Sequence, residues 1–112
     1  MVAPLEDIER LFSTVKHLCH ERRKMERLSE KARTAPLGKQ GQKATVDLNW
    51  QAFHVNKLEH DAHAAAVDCG LADARSPDHY KPYSVKLSGF HEYEVIPPLP
   101  RRVAARQKGG DA

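Results

Sequence analysis

Seven histidines, two cysteines and two groups of arginines and lysines are the residues of this 112-residue chain whose types and spacing could do chemistry. His17 and His20 stand three apart, as do His60 and His63. Four imidazoles could supply a zinc ion with its tetrahedral nitrogen ligands. If the chain doubles back near residue 40, His17 comes level with His63 and His20 with His60. Their directions diverge, however. On a helical wheel His17 and His20 point away from the apolar stripe of their segment, and His60 points away from the seam between segments. Equal height without convergence makes no site, so no metal is expected. These histidines are assigned to the surface or to a partner contact.

Cys19 falls on an apolar stripe and Cys69 among small residues, which predicts buried, reduced and unreactive thiols. Glu92 and Glu94 flank Tyr93 at strand spacing and would face the same way, as solvent-facing strand residues do. The chain has no G-x-S-x-G, phosphate-binding loop, dinucleotide fingerprint or HExxH. Neither an enzyme nor a cofactor is expected.

The basic residues are unevenly placed. Between residues 21 and 43, Arg22, Arg23, Lys24, Arg27, Lys31, Arg33, Lys39 and Lys43 face only three glutamates. Residues 44–96 carry eight acids against four bases, and the tail adds Arg101, Arg102, Arg106 and Lys108. Two basic patches thus surround an acidic middle, with a net charge of +3 overall. Such patches neutralise phosphate in RNA or on anionic lipid. No stacking aromatics are interleaved with them, so nucleic-acid binding would be mainly electrostatic.

The elements that carry these residues are two amphipathic helices, from about Leu5 to Ala32 and from about Val46 to Cys69. In the first, Leu5, Ile8, Leu11, Phe12, Val15, Leu18 and Cys19 share a face about 140° wide. Residues 21–33 form a charged extension supported by pairs such as Arg22–Glu26. The loop Thr34–Ala44 holds Pro36, Gly38 and Gly41, and Thr45 or Asp47 is placed to cap the second helix. One face of that helix, with Leu48, Val55, Leu58, Ala62, Ala65 and Cys69, is matched to the first stripe. The other face, with Val46, Trp50, Phe53, Ala64, Val67 and Leu71, needs a cover from the C-terminal segment or from a partner. Gly70 is the helix stop.

The expected fold is therefore mainly α: an antiparallel two-helix hairpin over residues 1–75, followed by an extended arm over 76–112. Tyr83, Val85 and Leu87, then His91, Tyr93 and Val95, alternate with polar residues. A short β-hairpin would pair Tyr83 with Val95 and Val85 with Tyr93. Pro97, Pro100 and Arg102 stand at the PxxPxR spacing that SH3 domains read in polyproline helices. The start of the chain has no secretory signal, and no apolar run reaches membrane-spanning length. An intracellular, reducing compartment is expected, either cytoplasm or organelle matrix.

With 40% hydrophobic and 6% aromatic residues, the chain buries only a small core of its own. The favoured expectation is a non-catalytic accessory subunit or adaptor of a multiprotein assembly. Its anchors would be Trp50, Phe53, His60, Val67, Leu71, Tyr83 and Tyr93. The alternative is an RNA-binding protein of a ribonucleoprotein, using Arg22, Arg23, Lys24, Arg27, Arg101, Arg102 and Arg106.

Overall fold

The structure, a computed structural model, describes residues 3–88 and 91–103. Two 30-residue helices, α1 (Leu5–Thr34) and α2 (Lys39–Asp68), lie antiparallel. A four-residue 3₁₀ turn (Pro77–Tyr80) leads to two antiparallel strands, β1 (Tyr83–Ser88) and β2 (His91–Val95). The molecule is long, 58 × 29 × 17 Å, with a radius of gyration of 17.5 Å. A compact domain of this length would be near ~13 Å. Each helix is about 45 Å long, which sets the long dimension of the molecule.

The helices extend further toward each other than sequence spacing indicates. Only residues 35–38 connect them, a much shorter loop than the expected Thr34–Ala44. Pro36 stops α1 by forcing Ala35 into an extended conformation (ψ 144°). Gly38 (φ 105°) makes the reversal that a residue with a Cβ resists. Helix α2 begins at once, with Gly38 at its N-cap position. Thr45 and Asp47 therefore lie inside the helix, not at its cap, and Thr45 Oγ1 donates to the Gly41 carbonyl at 3.0 Å. Gly41 is tolerated there because the connection passes close by. A Cβ on it would sit 2.6 Å from the Pro36 carbonyl oxygen.

The seam also differs from expectation on the α1 side. Apart from Arg10, which reaches Asp68, its half-buried and buried positions there are Asp7, Leu11, Thr14, Leu18, Glu21, Met25, Leu28 and Ala32, a continuous alternation of four- and three-residue steps. The facing positions of α2 are Gly41, Ala44, Leu48, Gln51, Val55, Leu58, Ala62 and Ala65, with the same alternation. This is the spacing that keeps two helices in register over many turns. The more apolar stripe of α1 ends at Cys19, so it cannot serve a seam of this length. The helix is rotated to present the stripe that continues to Ala32. As a result Leu5, Ile8, Phe12 and Val15 stay exposed, and Cys19 is exposed as well.

Helix α2 ends as Gly70 predicts. With Gly70 at φ 75°, the Leu71 N–H bonds Ala66 O at 2.9 Å and the Gly70 N–H bonds Val67 O at 3.0 Å. These are the paired bonds of a Schellman stop. The β-hairpin then folds back over the second face of α2. Its register pairs Tyr83 with Val95 and Val85 with Tyr93, with an irregularity between Lys86 and Ser88. A two-stranded hairpin is marginal alone. Here the Tyr93 ring packs 4.8 Å from Trp50 and 6.1 Å from Phe53, while Val95 and Leu87 are buried.

The turn predicts a sign reversal. Gly41→Ala should gain about 1 kcal/mol of helix propensity. The clash with Pro36 should outweigh it and leave the variant less stable by about 1–2 kcal/mol, as overpacking does. Urea unfolding followed by circular dichroism measures it. A stabilised variant would show that the connection is looser than described.

Candidate nucleic-acid interface

Helix α1 changes character along its outer face. At 100° per residue, Arg23, Lys24, Arg27 and Lys31 fall within an arc of about 100° directed away from α2. All four are exposed, and none has an ion-pair partner among the described residues. Lys39 and Lys43 add exposed charge across the connection. Other bases nearby are committed. Arg22 Nη1 reaches Glu59 of α2 at 3.4 Å, in place of the expected Arg22–Glu26 pair. Arg33 pairs with Glu30. The free basic strip thus centres on Arg23, Lys24, Arg27 and Lys31 and lies toward the closed end of the hairpin.

The second basic patch occupies the other end. Arg101 Nη1 lies 3.2 Å from Asp7 Oδ1, in the first turn of α1. The Arg102 backbone N–H donates to Asp68 Oδ1 at 3.4 Å, and its guanidinium lies against Gly70. Asp68, at the end of α2, also takes Arg10 at 3.3 Å. These contacts clasp the C-terminal segment to the open end of the hairpin. From the level of Asp7 to that of Lys24 is about 25 Å of helix, so the two patches do not merge. Arg106 lies outside the described residues. The PxxPxR segment is not displayed as a ligand: Pro97 and Pro100 are buried and Arg102 is held at Asp68.

The residues expected as partner anchors mostly serve the chain itself. Val67 is buried, Phe53 and Tyr93 are half-buried against each other, and Trp50 covers Tyr93. Tyr83 Oη lies 3.0 Å from His60 Nε2 and donates to Asn56. Leu71 alone of the set is widely exposed. Loss of hydration on burial, reinforced by the charge of Arg75, holds His60 below its ordinary value.

The histidine geometry corrects the expected pairing. Closure at residues 35–38 brings His17 beside His54, with ring centroids 5.8 Å apart, and leaves His63 bonded to the Asp73 carbonyl at 3.3 Å. Next to that pair the seam contains a polar layer. The Gln51 amide donates to the Glu21 carboxylate at 2.7 Å and to the Glu21 main-chain carbonyl at 3.0 Å. This bond, with His54 nearby, lowers the Glu21 pKa. Sequence reasoning misses this layer because Glu21 lies off the apolar stripe of α1. The alternating three- and four-residue steps through Asp7, Thr14 and Glu21 are the available signal.

Among the described residues the hairpin covers its own aromatic face, leaves a basic strip without ion-pair partners on the outer side of α1 toward the closed end, and exposes an apolar stripe on α1 toward the open end. The chain belongs to the phage N antitermination protein family, whose profile matches residues 1–101. It is 26% identical over 101 residues to the probable regulatory protein N of Enterobacteria phage phi80, an alignment spanning 90% of this chain and 100% of that protein. No solved structure matches it. The family is a regulatory one and not a known enzyme family.

His60 supplies a pH test. A histidine whose folded pKa lies below its unfolded value of about 6.5 binds fewer protons when folded. Its contribution is complete above that pH and is lost as pH falls toward the lower folded value. Thermal melts between pH 7.5 and 5 should show a loss of stability that His60→Asn reduces. An unchanged pH profile in the variant would contradict the packing of Tyr83 on His60.

Proposed function

We propose that this protein is an RNA-binding antiterminator. It would contact transcript RNA through the outward basic strip of α1 and transcription machinery through other exposed surface. The family match over residues 1–101 carries this reading. Antitermination means that transcription continues past a terminator, so the factor must act on an elongating polymerase and the RNA it carries. Its site of action would be the cytoplasm of the bacterial host.

The exposed strip supplies what RNA contact needs. Arg23, Lys24, Arg27 and Lys31 are exposed cations on a rigid helix, free to meet phosphates with forked or point-charge donors. Arg101 and Arg102 are assigned a structural part at the clasp, with at most an auxiliary one in binding. An antiterminator is itself an adaptor between RNA and protein, so the expected adaptor role is retained in second place. Protein contact is assigned to the exposed stripe Leu5, Ile8, Phe12 and Val15, which leaves the basic end free for RNA.

Binding of a labelled structured-RNA pool, followed by fluorescence anisotropy across a salt series, tests the proposal. Arg23→Glu with Arg27→Glu should weaken binding by about tenfold or more. It should also flatten the salt dependence by about one unit of slope for each phosphate no longer neutralised. Arg101→Ala should change RNA affinity little while lowering thermal stability. Equal affinity in the α1 double variant and the native chain would reject the strip as the RNA-binding surface.

A further inference from the structure

We propose that His17, Glu21 and His54 form a binding site for a divalent transition-metal ion, zinc by ligand chemistry, that staples α1 to α2. His17 and Glu21 are four apart on α1, and His54 comes from the facing turn of α2. One ligand atom from each lies within 4.8 Å of the other two. His17 Nε2 is 3.5 Å from Glu21 Oε1.

The carboxylate is already prepared. Gln51 is buried and donates to Glu21 Oε2 at 2.7 Å and to the Glu21 carbonyl at 3.0 Å. That leaves Oε1, the oxygen facing His17, as the atom available to a cation. An outer amide that fixes a ligand's orientation is the usual support of a metal site. The remaining adjustment is small. Zinc bonds of about 2.0–2.2 Å put tetrahedral ligands about 3.4 Å apart. The two imidazoles that must close the difference are both at exposed positions, where their rings have room to turn. Arg22, the next residue, is directed to Glu59 and leaves the cluster clear.

Two imidazoles and one carboxylate are the donor set of zinc and its first-row neighbours rather than of magnesium or calcium. Three protein ligands leave a position for water on the solvent side. The ion would cross-link the helices one turn before the basic strip begins. The site stands on its own geometry and does not require that the chain bind RNA.

Isothermal titration of the full-length protein with zinc chloride, and of the same samples with cobalt for its visible spectrum, tests the site. The native chain should bind one ion, develop a ligand-field band with cobalt and melt several degrees higher with zinc. His17→Ala and His54→Ala, both at exposed positions, should each abolish that saturable site while retaining native helicity. Gln51→Ala should weaken it by about 10–100-fold. His20→Ala, His63→Ala and Cys19→Ser should bind as the native chain does. Absence of one-to-one binding in the native protein, or undiminished binding in His54→Ala, would overturn the proposal.

Discussion

Two helices of 30 residues stay in contact along their whole length only if their facing residues recur in alternating steps of three and four. Every other property of this molecule follows from how the sequence meets that constraint. On α2 the facing positions are small or apolar almost throughout, from Ala44 to Ala65. On α1 they are mixed: Leu11, Leu18, Met25 and Leu28 alternate with Asp7, Thr14 and Glu21. Burial of leucine and methionine contributes about 1.5–3 kcal/mol per side chain when complete. Here it is only partial, so the seam is a modest one. The polar members are satisfied individually. Asp7 meets Arg101, Thr14 bonds its own helix at Arg10, and Glu21 meets Gln51. A buried charge without such partners would cost more than the adjoining leucines return.

The same constraint separates the molecule into two ends. At the open end, Asp68 and Asp7 pair with Arg10 and Arg101, and Asp68 also accepts from the backbone of Arg102, so the C-terminal segment is fixed there. At the closed end, α1 and the start of α2 carry more bases than the acids beside them can pair. The strip Arg23–Lys31 is left to the solvent. Exposed cations of this kind can neutralise phosphates and release their counterions. Rotation of α1 to suit the seam also leaves Leu5, Ile8, Phe12 and Val15 outside.

Much of the fold is legible from spacing and punctuation. Pro36, Gly38 and Gly70 mark the turn and the stop, and the alternation around Tyr83 and Tyr93 specifies the strand register. The departures have two sources. Gly41 reads as a loop residue, although its missing Cβ serves a close approach of the connection inside a helix. That reading lengthens the loop and shifts the level of closure, so that His17 is matched with His63 rather than His54. Hydrophobicity also favours the wrong stripe of α1, because periodicity shows which residues share a face but not how far the partner helix extends. Asp7, buried, and Glu21, half-buried, are missed for the same reason, since only the three- and four-residue steps they share with Leu11, Leu18 and Met25 signal them. Among the basic residues, sequence counts charge but does not tell Arg101, taken up by Asp7, from Arg23, which remains free.

An amide NMR titration of the isotope-labelled protein with RNA tests most directly whether the α1 strip is the RNA-binding surface. Chemical-shift changes should concentrate on α1 between Arg23 and Lys31 and on the first turn of α2 at Lys39–Lys43. Val67, Tyr93 and the Asp7–Arg101 clasp should remain unchanged. Shifts centred on the clasp, or spread evenly over the chain with none at Arg23–Lys31, would contradict that assignment.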